Sequence, residues 1–329
     1  MIVVQTPLRI SFLGGGTDFE DFYTTNAGAV LSTAIDKCTF VVVKERFDDM
    51  IYVNYSKKEI VDKVGDLEHA LVREAMRMTG VDKGVEITTL ADVPSEGTGL
   101  GSSSSITAGL LQALHTYQGQ SITAEDLARQ ACQIEIDILG KPIGRQDQYI
   151  CAYGNLRFIT FGSDGVHVEK IELAKQAKRR LNEGLLLFYT GIPRQASQIL
   201  DEQKANINNR LPELKEMVKL AHEAKNALAG EAFDEFGQLL HRGWELKKQL
   251  STNVSNTEID DIYQTARKAH AIGGKITGAG GGGFLLLYCP PGRRDNVRSS
   301  LRGLRELPFL FEEDGSKVIF NYRRQLFAL

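Results

Sequence analysis

Pro94-Ser95-Glu96-Gly97-Thr98-Gly99-Leu100-Gly101-Ser102-Ser103-Ser104-Ser105 is the stretch on which the fold is decided. It follows a strand-like run, Val85 to Leu90, and precedes apolar residues at helical spacing, Ile106, Leu110, Leu111 and Leu114. The pattern predicts a glycine-rich loop feeding a helix N-terminus. Such a loop suits an anion: backbone N–H groups point outward, glycine admits close approach, and the helix dipole favours negative charge. The implied ligand is a polyphosphate, with a serine hydroxyl available to Mg2+. Taken alone, the same residues serve equally well as a flexible Gly/Ser turn. No Lys-Ser/Thr pair closes the loop as in Walker A, and Gly97, Gly99 and Gly101 do not spell G-x-G-x-x-G.

The 329 residues suit one large or two medium domains. A net charge of −3 gives no basic excess for nucleic acid and no cluster for a membrane surface. Any phosphate must therefore be held by local dipoles and a few cations. The N-terminus has no charged segment followed by a long apolar one, and no run approaches the ~18 apolar residues of a membrane span. Cys38, Cys132, Cys151 and Cys289 are scattered, which predicts reduced thiols in a cytoplasmic protein rather than disulfides or zinc.

Outward from the loop, Ile2–Gln5 and Leu8–Leu13 read as short strands broken by Pro7, with Ala29–Ala34 and Cys38–Glu45 as two more. Between them, Gly14-Gly15-Gly16-Thr17-Asp18 reads locally as a tight turn with Asp18 capping Phe19–Tyr23. Leu67–Met78 has helical spacing, and Thr123-Ala-Glu-Asp126 is a capping box opening a helix that ends near Gly140. Asn155–Phe161 and Val166–Ile171 form a hairpin. Leu173–Glu183 is a linker or a surface helix, and a soft boundary there separates units 1–172 and 173–329. Gly184–Thr190 is a strand buried on both faces. Arg194, past its end, either meets an anion or is surface charge. Leu211–Leu228 and Ala232–Leu250 are helices, with Trp244 in the core. Lys247 and Lys248 are explained by the helix dipole. Ser255-Asn-Thr-Glu258 is a second capping box. Gly278, Gly280 and Gly283 spell G-x-G-x-x-G, but a strand follows, which is wrong for a dinucleotide site. Pro308–Glu312 and Lys317–Asn321 are closing strands. Strands ahead of the first long helices make the class α+β.

Three motifs occur in one order: Pro7-x-Arg9-x5-Gly15-x-Thr17-Asp18, Pro94-x-x-Gly97-x-Gly99-Leu-Gly-Ser-Ser-Ser-Ser105, and Lys275-x-Thr-Gly-Ala-Gly280-Gly-Gly-Gly283. Together they resemble the GHMP kinases, across nearly the whole chain. The resemblance implies two domains, ribosomal-protein-S5-domain-2-like and then ferredoxin-like, with ATP and Mg2+ bound between them. It implies nucleotide contacts at Pro94, Gly97, Gly99, Leu100, Gly101, Ser102, Ser103 and Ser104. Metal ligation falls to Ser103 and Glu135. Substrate contacts fall to Arg9, Gly15, Gly16, Thr17, Asp18, Asp147, Gly280 and Arg194. Read singly, Glu135 is solvated helix surface and Asp147 a cap. As a pair twelve residues apart they resemble the family's metal ligand and the acid facing the acceptor hydroxyl, with Arg9 beside Asp147. Whether Asp147 takes the proton or orients the hydroxyl stays open.

Where galactokinases carry Glu-His before Thr-Asp, this chain has Gly15 and Gly16, which argues for a bulkier or differently held sugar. Phe188-Tyr-Thr-Gly191, Gly144-Arg-Gln-Asp-Gln-Tyr149 and Trp244-x-x-Lys247 resemble the branch that phosphorylates C1 of D-glycero-D-manno-heptose 7-phosphate. Kinases for fucose, galactose or an N-acetylhexosamine, and a non-catalytic sugar- and ATP-binding regulator, are the alternatives. A terminal phosphate needs a cation, and Arg194, Lys247 and Arg145 qualify by composition. The partners expected are small molecules, with a homodimer left open.

Overall fold

The computed structural model describes residues 1–94, 97–192 and 196–322. The first half runs β1 (Ile2–Leu13), α1 (Glu20–Tyr23), β2 (Gly28–Glu45), β3 (Ile51–Asn54), β4 (Lys58–Val61), α2 (Ala70–Thr79), β5 (Val85–Ala91), α3 (Ser102–Tyr117), α4 (Ala124–Cys132), a π-turn at Gln133–Ile138, α5 (Gln146–Tyr153), and the hairpin β6 (Leu156–Gly162) and β7 (Gly165–Lys170). The second half runs α6 (Lys175–Gly184), β8 (Leu185–Tyr189), α7 (Ala196–Ala205), α8 (Leu211–Ala229), α9 (Phe233–Lys247), α10 (Thr257–Lys268), β9 (Gly273–Ile276), β10 (Phe284–Tyr288), α11 (Arg294–Ser300), β11 (Arg305–Glu306) and β12 (Lys317–Asn321).

The strands β1 and β2 were each expected as two pieces, and each is continuous. The chain accommodates Pro7 by a slip in register: Pro7 pairs with Cys38 and Leu8 with Ile35, leaving two residues of β2 over. Proline donates no ladder hydrogen bond and is tolerated at such an irregularity. The length of β2 lets it serve three partners. It pairs with β1 along one edge, and on the other with β6 through its first half and β5 through its second. The resulting sheet runs β12-β1-β2-β5-β3-β4, with β6 and β7 attached to β2. A second, antiparallel sheet runs β11-β8-β10-β9. The closing strand β12 pairs with β1, so residues 317–321 return to the first sheet. Pro308–Glu312 contributes only an isolated bridge, Phe311 to Ile35.

Alternation within β8 and β10 explains their unbroken apolar sequence. Leu185, Leu187, Phe284 and Leu286 join a core with β1, α8 and α9, whereas Leu186, Phe188, Leu285 and Leu287 join another with α10 and α11. The first of these cores spans both sheets: Leu8, Ile10 and Phe12 of β1 meet Leu220, Phe236 and Leu240. The rings of Phe12 and Phe236 stack edge to face at 5.3 Å. Burying large apolar side chains this way stabilises by roughly 2 kcal/mol each, so the two halves are held as one body.

Thr123 caps α4 as expected, its hydroxyl accepting from Asp126 N–H at 3.1 Å. The second capping box is corrected by one residue. Asn256, not Ser255, caps α10, with Oδ1 accepting from Ile259 N–H at 2.9 Å, while Ser255 donates to Asp260. Leu173–Glu183 resolves into a helix, because Ala177 and Leu181 bury one side of α6. Trp244 lies in the core, and all four cysteines are buried and unpaired. No helix among the described residues is long and apolar enough to cross a membrane.

Candidate active site

The glycine-rich loop before α3 takes its shape from alternate glycines. Gly97, Gly99 and Gly101 have φ of +73°, +74° and +78°, where any other L-residue is strained. Gly101 is also the N-cap of α3. Arg9 sews the loop to β1: its backbone N–H donates to Leu100 O at 2.9 Å and its Nη1 to Gly99 O at 2.5 Å. Leu100 is buried beneath. The third glycine segment presses on the same loop. Thr277 Oγ1 donates to Thr98 O at 3.0 Å, and a side chain at Gly283 would strike the Gly97–Thr98 backbone. Of the flanking residues, Pro94 is described, whereas Ser95 and Glu96 lie outside the described residues.

The four serines of α3 have separate tasks. Ser105 is a strut, donating to Thr6 O at 3.1 Å and bonded to Thr39 at 2.6 Å. Ser103 and Ser104 both donate to the Glu135 carboxylate. The Ser102 hydroxyl is buried with no partner among the described residues. Glu135 itself is fully buried, in contrast to the solvated helix surface its local sequence indicates. The π-turn accounts for this. Leu139 N–H bonds to Ile134 O five residues back, and the wider turn puts Glu135 beneath α3. Its Oε2 also accepts from Gln148 Nε2 at 2.8 Å, and its Oε1 from Lys141 Nζ at 2.9 Å. The same ammonium lies 2.6 Å from Ser103 Oγ. Ser103 and Glu135 thus already converge on one cation. Their hard oxygens fit Mg2+, which uses one or two carboxylates and completes its shell with phosphates and water. No group of three or more His, Cys, Asp or Glu among the described residues forms an all-protein metal cage.

Consecutive residues of α5 serve the two halves of the site: Gln148 reaches Glu135, and Asp147 reaches Arg9. The Arg9–Asp147 contact is bidentate, Nε to Oδ1 at 2.6 Å and Nη2 to Oδ2 at 2.5 Å. Burial pulls the Arg9 pKa down, but the charge and hydrogen bonds of Asp147 outweigh it, and the net shift is upward. Both side chains line a small cavity, about 70 Å3, shared with Ser11, Gly15, Gly16 and Asp18. The far wall is Gln203 of α7, Lys247 of α9, and Gly278 and Ala279. Asp18 accepts from Gly16 N–H at 2.9 Å and Gln146 N–H at 3.1 Å, so it caps α5 and not the nearer α1. Burial raises its pKa against those two hydrogen bonds.

Several expected residues take other parts. The Thr17 hydroxyl bonds to Gly14 O and to the Ala29 backbone, holding the turn without lining the cavity. Gly278 and Ala279 border the cavity in place of Gly280, whose φ of +98° lets the loop pass Val254. Arg145 faces Glu20 at 3.0 Å, away from the cavity. Arg194 lies outside the described residues. Lys247 is more than a helix-dipole residue. It is buried, lines the cavity, and donates to Gly278 O at 2.9 Å. The signal was available, because Leu240, Trp244 and Lys247 share one helical stripe, and a lysine on a buried stripe needs a reason. The parts played by Lys141, Gln148, Ser11, Gln146 and Gln203 were also missed. Ser11 follows Arg9 at the period of a strand, which puts both on one face. The Ser11 Oγ, Gln146 Oε1 and Gln203 Oε1 atoms are buried without partners among the described residues, three polar atoms around one cavity.

Models of the GHMP kinases N terminal domain and GHMP kinases C terminal match residues 56–155 and 221–304. A D-glycero-alpha-D-manno-heptose 7-phosphate kinase from Campylobacter jejuni is 30% identical over 319 residues, 92% of this chain and 93% of that one. The chain belongs to the GHMP kinase family. It is therefore a phosphotransferase acting on a hydroxyl, with ATP as the donor. A crystal structure of a D-glycero-D-manno-heptose 1-phosphate kinase from Bacteroides thetaiotaomicron superposes with TM-score 0.82 at 24% identity, covering 98% of this chain and 100% of that one. Galactokinase of Lactococcus lactis, solved with galactose, gives 0.76 at 18% identity, covering 96% and 94%. The two-domain GHMP kinase fold expected from the motifs is the fold observed. A bifunctional fucokinase/GDP-fucose pyrophosphorylase from Arabidopsis thaliana is 27% identical over 86% of this chain, which spans 29% of that longer protein.

Proposed function

We propose that this GHMP kinase transfers the ATP γ-phosphoryl group to the C1 hydroxyl of D-glycero-D-manno-heptose 7-phosphate in the cytoplasm. Residues 1–172 would supply the phosphate loop and residues 173–329 the opposite wall of the cavity. The observation that carries this reading is the Arg9–Asp147 pair, anchored to the phosphate loop at one end and lining the polar cavity at the other. A hydroxyl in that cavity meets Asp147, which accepts or orients its proton. Arg9 grips the carboxylate through two hydrogen bonds and faces the charge that develops on the transferred group. Ser103 and Glu135 would hold Mg2+, which when bound neutralises the β- and γ-phosphate oxygens. Asp18, Ser11, Gln146 and Gln203 offer donors and acceptors to the sugar hydroxyls. Lys247, bonded to Gly278 O, is the cavity-wall cation assigned to a terminal phosphate.

Support for the heptose comes from the Campylobacter relative and from Gly15 and Gly16, which stand where galactokinases carry Glu-His and so argue for a bulkier or differently held sugar. The Arabidopsis relative supports fucose as the second reading. ADP release across a panel of sugars, with and without the terminal phosphate, separates them. The heptose 7-phosphate is expected to exceed every unphosphorylated sugar in kcat/KM. Equal turnover of unphosphorylated sugars rejects that substrate.

The part given to Asp18 has its own test. A Cβ at Gly144 would fall on the Asp18 carboxylate. Gly144→Ala is expected to raise the sugar KM about tenfold or more, because misplaced positioning groups are costly. The ATP KM should hold, and a change in ATP KM alone would remove Asp18 from the sugar side.

A further inference from the structure

We propose that Lys141 is a tethered counter-ion that competes with the divalent cation for Ser103 and Glu135, and moves to the nucleotide phosphates when metal and nucleotide bind. This rests on the metal reading above. The Lys141 ammonium lies 2.6 Å from Ser103 Oγ and 2.9 Å from Glu135 Oε1. Mg2+ would need these same two oxygens at about 2.1 Å. Two cations cannot share them, because the short separation between like charges in a buried site is strongly repulsive. Glu135 is fully buried, and a positive partner stabilises a carboxylate in such a place.

The backbone fixes the root of the lysine, and the head is held through Ser103 Oγ and Glu135 Oε1. Lys141 N–H donates to the carbonyl of Glu135 itself at 2.9 Å, and Gly140 turns the chain just before it with φ of +62°. The side chain is 31% exposed, against 0% for Glu135, so the ammonium approaches from the open side. A head that swings out stays within reach of the phosphate loop, where the nucleotide brings negative charge. On its return the carboxylate regains a counter-ion. Ser104 and Gln148 hold the other oxygen of Glu135 in place meanwhile.

Removing the ammonium should therefore move two affinities in opposite directions. With Lys141→Met, nucleotide-free protein is expected to bind Mn2+ about tenfold more tightly, read as free Mn2+ by electron paramagnetic resonance. The KM for ATP at saturating Mg2+ is expected to rise about tenfold. A merely structural lysine would weaken both. Glu135→Gln is the reference, and should abolish the Mn2+ binding. If Glu135→Gln lowers Mn2+ affinity and Lys141→Met does not raise it, the competition is refuted while the metal reading stands. If Glu135→Gln leaves Mn2+ affinity unchanged, the metal reading fails and takes the competition with it. Should Lys141→Met not fold, Lys141→Gln gives the same readouts, and its melting temperature should rise with added Mn2+ more than that of the unaltered protein. An equal or smaller rise overturns the proposal.

Discussion

Asp147→Asn is expected to lower kcat by ~10²-fold or more, with ATP affinity nearly unchanged. The substitution keeps the size of the side chain and one acceptor oxygen. It removes the charge, the proton acceptor and half of the fork that Arg9 grips. An asparagine must present either its NH2 group or its oxygen to each Arg9 nitrogen, so one of the contacts at 2.6 and 2.5 Å turns repulsive. The phosphate loop should stay in place, because Arg9 N–H and Nη1 hold Leu100 O and Gly99 O independently of the carboxylate. Nucleotide binding by fluorescence titration then separates lost chemistry from lost folding. Turnover within a few-fold of the unaltered enzyme would mean that Asp147 neither accepts nor orients the proton.

Much of this site can be read locally, and the exceptions have physical causes. A strand, a glycine loop and a serine-rich helix start lie within about twenty residues, so their junction shows in the sequence. The Thr123 cap is equally local. By contrast, Asp18 caps a helix that begins 128 residues later, and nothing near it in sequence says so. The nearer α1 offered a plausible local partner and misled. Glu135 looks like surface because regular helical spacing is assumed, and the π-turn breaks that spacing. Pro7 looks like a strand break because a single strand shows no register with its neighbour, whereas the bulge opposite absorbs it. The return of β12 to β1 belongs to tertiary packing. Lys247 was legible in principle: its stripe marks it as buried, and only its cation character suggested otherwise.

Arg9→Lys tests whether charge alone suffices, and a loss of ~10²-fold in kcat is expected. Arg9 uses three side-chain N–H groups in fixed directions, two to Asp147 and one to Gly99 O. A lysine keeps the charge but presents one compact ammonium on a flexible stem, and it cannot span both partners. Satisfying Asp147 would release the Gly99 carbonyl, so the loop loses its side-chain stitch to β1. Satisfying the loop would leave the carboxylate unneutralised next to the acceptor hydroxyl. Either choice also weakens a partly buried pair, so the melting temperature should fall as well. The loss should appear in kcat more than in either KM, because the other groups proposed to bind the sugar and the phosphates remain. Should Arg9→Lys match the unaltered enzyme, the positive charge would be the whole of the contribution. The fork that joins the phosphate loop to Asp147 would then be packing without consequence for the chemistry.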